Sequence, residues 1–154
     1  MDVADLVAPG AVLASIKAAG KKQALQEVGH RAAEAYGLDC RSVIEGLADR
    51  EKLGSTAMGG GVAIPHARIE GLSSIVGVFG RLCKPVDFEA PDGQGVDLMF
   101  VLLAPEGAGA DHLRALAKVS RLLRSAATCE KLRQTDDSSV LYALLTEMTT
   151  SRAA

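Results

Sequence analysis

Val96-Asp97-Leu98-Met99-Phe100-Val101-Leu102-Leu103-Ala104 is the stretch on which the fold turns. One charge interrupts an otherwise apolar run. A strand wet on one face alternates apolar and polar side chains, whereas this run is apolar almost throughout, as a central strand buried on both faces must be. The run from Leu98 to Ala104 is also far short of the ~20 apolar residues that a membrane-spanning helix needs. A sheet with layers on both sides is therefore expected around it.

Upstream, Pro91-Asp92-Gly93 is a strong turn signal. Before it, Val86-Asp87-Phe88-Glu89-Ala90 alternates strictly and predicts a half-buried strand. Ser74 to Leu82 is a longer β-like run rich in Ile, Val and Phe. Val62-Ala63-Ile64 is a short one, stopped by Pro65. Between them and the preceding segment, Gly54, Gly59, Gly60 and Gly61 mark a loop that turns sharply or approaches something closely. Further back, Leu25, Val28, Ala32 and Tyr36 recur at helical spacing and predict a helix over Lys21 to Tyr36, ended by Gly37. Asp39 is placed to cap a second helix carrying Val43, Ile44 and Leu47, with Arg50 near its end. Val12 to Lys17 reads as a short strand.

Downstream, Asp111 is placed to cap a helix whose stripe would be Leu113, Leu116, Ala117, Ser120 and Leu123. A short helix is expected over Thr128 to Gln134, and a last one from about Ser138 through Leu141, Leu144, Leu145 and Met148. The tail over 149–154 is polar and small and is expected to fray. Two helices, then strands, then helices predict an α/β fold with a mixed β-sheet sandwiched between helices, as one domain over 1–154.

Composition narrows the function classes. The chain has 154 residues, 48% of them hydrophobic and only 3% aromatic, with no Trp, so an aliphatic core is expected. Net charge is −2, and Lys and Arg are scattered. That is a poor footprint for nucleic acid or for an anionic membrane, and neither partner is expected. The three cysteines, Cys40, Cys83 and Cys129, are too far apart for a C-x-x-C pair and fit a reducing compartment. The acidic start Met1-Asp2-Val3-Ala4-Asp5 lacks the order of a signal peptide, so a cytoplasmic location is expected. P-loop, G-x-S-x-G, H-E-x-x-H and strand-linked G-x-G-x-x-G patterns are absent. No pair among His30, His66 and His112 has ligand-like spacing, so neither a metal nor another cofactor is expected.

The histidines carry the remaining chemistry. His66 follows a Gly-rich loop, a short strand and Pro65, whose fixed φ presents the next residue on a rigid backbone. Neutral imidazole has a free lone pair and can attack phosphorus without a general base. Such a transfer then needs cationic or hydrogen-bonding groups around the moving oxygens, for which Arg50, Arg68 and the glycine-rich backbone are candidates. His112, just after Asp111, would lie in a first helical turn, where free N–H groups favour a phosphoryl group and disfavour imidazolium. By local chemistry alone each has a plainer reading. His66 is equally a structural or surface histidine, His112 a helix-start residue, Arg50 an ion-pair partner of Asp49 or Glu51, and the glycines only a turn. His30, in mid-helix, reads as solvated.

Taken jointly, Arg50-Glu51-Lys52-Leu53-Gly54-Ser55-Thr56 and Gly59-Gly60-Gly61-Val62-Ala63-Ile64-Pro65-His66 resemble the phosphorylation-site signature of phosphotransferase-system IIA domains of the mannitol/fructose type. The likeness is greatest to their nitrogen-regulatory branch. It extends over nearly the whole chain, including Val96-Asp97-Leu98 and His112-Leu113 with the Leu-rich helix after them. The resemblance implies a phosphoryl group taken on Nε2 of His66 from an HPr-like phosphocarrier. It also implies a contact from Arg50, and His112 as the second histidine of the site. Ser55, Thr56 and Gly61 would shape the loop or help bind the phosphoryl group, with Arg68 nearby. Glu106-Gly107-Ala108-Gly109-Ala110 is a small, Gly-rich departure near His112. Without a membrane segment or permease domain, a stand-alone regulator of target proteins such as kinases or transporters is expected. Two other functions compete with it. One is a sugar-specific IIA component passing phosphate to a IIB domain, and the other is a binding module indifferent to phosphorylation.

Overall fold

The computed structural model describes residues 1–147 in full, and the backbone of the last helix to 153. The fraying expected over 149–154 lies outside the described residues. In chain order the elements are α1 (Val3–Leu6), β1 (Val7–Ile16), α2 (Lys21–Tyr36), α3 (Cys40–Lys52), β2 (Ala57–Gly59), β3 (Val62–Ala63), β4 (His66–Ile69), β5 (Val76–Val86), β6 (Val96–Pro105), α4 (Gly109–Leu123), α5 (Ala126–Arg133) and α6 (Ser138–Ala153).

Strand β6 is the centre of the sheet, as its composition requires. The order is β1-β5-β6-β3-β2, with β4 also paired to β6. β5 runs antiparallel to β6, while β3 and β4 both run parallel to it along its other edge. Apart from Asp97 and the terminal Pro105, every residue of β6 is buried. Phe79 of β5 lies opposite Phe100, their rings edge to face with centroids 6.2 Å apart. The sheet is thus mixed, and helices pack on it from two sides. Ala67 and Ile69 of β4 lie under Gly46 of α3. Their neighbour His66, which alternation points the other way, meets His112 of α4.

The helical hairpin follows its sequence signals. α2 ends where Gly37 enters the left-handed region at φ 65°, and Asp39 caps α3 by accepting from the Ser42 N–H at 3.0 Å. Tyr36 fastens α2 to the sheet, donating to the Gly77 carbonyl at 2.6 Å and accepting from Ala8 N–H. None of the described helices is long and apolar enough to cross a membrane.

Several expectations are corrected. The first strand is longer than Val12–Lys17, running Val7–Ile16 after the short α1, and the β-like run expected from Ser74 pairs only from Val76. Val86 to Ala90 is not a strand of its own: Val86 closes β5, and the chain then leaves the ladder. Val86 and Phe88 are nevertheless buried and Asp87 and Glu89 exposed, so the alternation marks a segment laid across the core edge without pairing. Glu89, at φ 56°, is where the backbone breaks from extended geometry. Asp111 does not cap α4. The helix starts at Gly109, and Asp111 sits in its first turn, paired with Arg114 at 2.6 Å. The buried stripe of α4 is His112, Ala115, Val119, Leu122 and Leu123; of the stripe expected, Leu123 is buried and Leu116 packs partly on the core, while Leu113 and Ala117 are exposed. Two stripes one residue apart compete on this helix, and the one that carries His112 faces β6, leaving Leu113 68% exposed.

Candidate active site

Strand β4 begins at His66, directly after Pro65, and both preceding residues are pinned. Ile64 N–H donates to the Thr56 carbonyl at 3.0 Å, and the Pro65 carbonyl accepts from Leu102 N–H at 3.0 Å. The imidazole itself is held at both nitrogens. Nδ1 lies 2.9 Å from the Ile64 carbonyl, which can only accept, so Nδ1 carries the proton. Nε2 therefore keeps its lone pair, and it accepts from Nε–H of Arg50 at 3.2 Å. Arg50 comes from the last turn of α3, and its Nη1 also donates to the Gly54 carbonyl at 2.9 Å.

His112 is the fourth residue of α4, and its own N–H is directed to the Ala108 carbonyl, so it offers no free backbone donor. Its ring lies 5.5 Å from that of His66, at 76°. The residue is 6% exposed, and its Nε2 is buried without a hydrogen-bond partner among the described residues. Such an atom is costly unless something arrives to meet it. Arg68, two residues along β4, is exposed at the rim of the site, close enough for its charge to act on His112.

Burial and neighbouring charge favour the neutral form of both rings. Burial is the main cause that lowers the pKa of His66 below its ordinary value. The Arg50 charge works the same way, while the Ile64 hydrogen bond and the Glu51 charge oppose them. Burial, then the charges of His66 and Arg68, lower that of His112. The folded protein thus binds fewer protons at these rings than the unfolded chain, whose histidines titrate near ~6.5. Stability from these groups is complete above that pH and is lost as the pH falls toward the lower folded values. We expect the urea midpoint to drop as the pH falls from neutrality through the ordinary imidazole range, and His112→Gln to flatten that drop. An equal slope in the variant would remove His112 from the account.

The other predicted site residues separate. Ser55 donates to the Phe88 carbonyl and accepts from Ala57 N–H, which shapes the loop. Thr56 is tied to Glu51. Gly61 lies elsewhere. Gly60 and Gly61, at φ 66° and 80°, form the tight turn between β2 and β3. Val62 is level with Leu98, whereas His66 is level with Leu102, four residues or roughly 13 Å further along β6. The Gly-rich backbone is therefore not beside the histidine. Its N–H at Gly60 donates to Asp92, and its carbonyl accepts from Arg133, which also grips Asp97 with two nitrogens at 2.8 Å. A Cβ on Gly61 would lie 2.5 Å from Nη2 of Arg133.

Glu51 was the residue that sequence reasoning undervalued. Only 7% exposed, it sits at the foot of α3 in ion-pair contact with Lys21. The signal was present: Val43, Leu47 and Glu51 recur at intervals of four, which places a carboxylate on the buried stripe of the helix.

The site is thus histidine-centred, an imidazole on a mixed-sheet α/β domain with its tautomer fixed by Ile64 and a guanidinium at its other nitrogen. Comparison with known proteins narrows that class. Residues 6–148 match the family described as "Phosphoenolpyruvate-dependent sugar phosphotransferase system, EIIA 2". The nitrogen regulatory protein of Bradyrhizobium diazoefficiens is 55% identical over 145 residues, covering 94% of this chain and 95% of that protein. The crystal structure of nitrogen regulatory protein IIA-Ntr from Neisseria meningitidis superposes with a TM-score of 0.86 at 36% identity, covering 92% of this chain and 97% of that one. The IIA mannitol structure from Escherichia coli, at 22% identity and a TM-score of 0.75 over 90% and 97% of the chains, shares the fold. The chain belongs to the EIIA 2 family of the phosphotransferase system, and its relatives include nitrogen regulatory proteins.

Proposed function

We propose that this protein is a cytoplasmic phosphocarrier of the nitrogen-type phosphotransferase system. It takes a phosphoryl group on Nε2 of His66 from an HPr-like carrier and regulates target proteins according to that state. The observation that carries the reading is the fixed tautomer: Nδ1–H is bound to Ile64, which leaves Nε2 as the free nucleophile. The names of the relatives favour the regulatory branch over sugar uptake.

In the step itself, the Nε2 lone pair forms a bond to phosphorus as the nitrogen–phosphorus bond of the donor phosphohistidine breaks. The electron pair of the broken bond returns to the donor ring, and no proton need move. As Nε2 becomes substituted, the Arg50 N–H loses its acceptor and turns to the phosphoryl oxygens, where cationic donors act on the charge of the transition state. His112, whose ring lies edge to face with that of His66 and whose Nε2 has no partner among the described residues, supplies an N–H to those oxygens. Arg68 adds positive charge at the rim.

The test is phosphoryl uptake. Incubated with phosphoenolpyruvate, Enzyme I and an HPr-like carrier, the protein should gain an acid-labile phosphohistidine, located at Nε2 of His66 by ³¹P NMR and mass. A competent donor system that leaves His66 unlabelled would sink the proposal. Rapid discharge by a IIB domain would move the protein to the sugar-transport branch.

A further inference from the structure

A buried carboxylate beside the site has a geometry that packing alone does not explain. The side chain of Glu51 is 4% exposed and holds Thr56 with both oxygens: Oε1 accepts from Thr56 N–H at 3.0 Å, and Oε2 from its hydroxyl at 2.6 Å. Lys21 Nζ, 3.2 Å from Oε1, balances the charge. A carboxylate taken from water at this depth needs such partners, and charge-assisted bonds of this kind are short and directional. Thr56 is thereby fixed in both backbone and side chain. Its carbonyl accepts from Ile64 N–H at 3.0 Å, and the carbonyl of Ile64 accepts from Nδ1–H of His66 at 2.9 Å. An unbroken series of polar contacts thus runs from Lys21 to the imidazole. Arg50, the neighbour of Glu51 in sequence, reaches the other ring nitrogen from the same helical turn.

We propose that Glu51 is a positioning residue for His66, holding Ile64 through Thr56 so that its carbonyl keeps the imidazole proton on Nδ1. The proposal rests on the reading that Nε2 of His66 takes the phosphoryl group. Without the carboxylate, Thr56 loses its two anchors, the Ile64 peptide can tilt, and the proton has no fixed acceptor at Nδ1. The ring then divides between tautomers, and the form with Nε2–H has no lone pair at the nitrogen that must attack. The negative charge of Glu51 also opposes the effect of Arg50 on the ring, so its loss moves the His66 titration to lower pH.

Two variants test this. Glu51→Gln keeps an acceptor for Thr56 N–H but removes the charge, and Thr56→Val keeps the N–H but removes the hydroxyl. Two-bond ¹H–¹⁵N correlation of the histidine rings reports the tautomer without any donor protein. We expect wild type to show Nδ1–H alone, and both variants to show a mixture. Transfer from a charged HPr-like carrier should slow in parallel, by about tenfold for Glu51→Gln, as for a group misplaced without being removed. If Glu51→Gln loses its dispersed amide spectrum, Thr56→Val carries the test. A pure Nδ1–H tautomer in the folded variants overturns the proposal, whether transfer stays fast or slows. So does an Nε2–H tautomer in wild type. A wild-type protein that takes up no label at all instead removes the phosphocarrier reading, and the tautomer measurement still decides what Glu51 does.

Discussion

His66→Ala should take up no label from a charged HPr-like carrier while keeping its fold. The change removes the attacking nitrogen, and nothing nearby can replace it. The ring of His112 is 5.5 Å away on a different element, and its Nε2, in the proposed role of N–H donor to the transferred oxygens, has no lone pair to offer the phosphorus. Loss of a nucleophile is felt on a scale of ~10⁴-fold or more, and here that means no detectable transfer. The fold should survive because β4 is held by its pairing with β6 and by Ala67 and Ile69 against α3, not by the imidazole. A folded His66→Ala protein that still gained an acid-labile phosphoryl group would place the chemistry on another residue. Folded His66→Ala also separates carrier from plain binding module: regulated targets should distinguish it from the phosphorylated wild type.

Arg50→Ala carries the second large effect, a slowing of ~10²-fold at unchanged fold, which is what the removal of one oriented donor from a developing anion typically costs. Arg50 bridges two acceptors at once, Nε to His66 and Nη1 to the Gly54 carbonyl. A lysine has a single ammonium on a flexible stem and cannot hold both in one plane, so Arg50→Lys should recover only part of the rate. Single-turnover transfer rates from the charged carrier would measure this. Normal rates in Arg50→Ala would remove it from the mechanism.

The legible part of the fold was the part set by hydrophobic pattern. An almost unbroken apolar run of this length, closed by Pro105, fits a strand buried on both faces, and β6 is one. The helical hairpin was legible because Gly37 and Asp39 mark a stop and a start through backbone chemistry that acts locally. What failed was decided by tertiary packing. The alternation over Val86 to Ala90 gives the right burial, but no partner strand is within reach, so no ladder forms. On α4 two stripes were available, and the sheet below chose between them. Within the site, His66, Arg50 and His112 do come together, though no local property of the chain requires residues 46 positions apart to meet. Their joint recognition rested on a family pattern. For the Gly-rich run two readings stood open, a sharp turn or a close approach to the phosphoryl group, because glycines signal a turn without saying what lies beside it; the turn is what forms.

The contact from Arg50 to the resting imidazole has a consequence for selectivity. A bare guanidinium beside a half-buried ring would be a standing trap for chloride, inorganic phosphate or any small anion that diffused in. Here two of its donors are already engaged, by a ring nitrogen and by a loop carbonyl. A dissolved anion is left the remaining N–H groups but not the one aimed at Nε2, to which it forms no bond of its own. Only a group that attaches itself to that nitrogen frees the Nε–H, and under the proposed reaction it does so at the moment the donor is wanted. On the proposed reading the idle protein is in this sense capped at the reacting nitrogen, and the reaction that would load it is also what would uncap it.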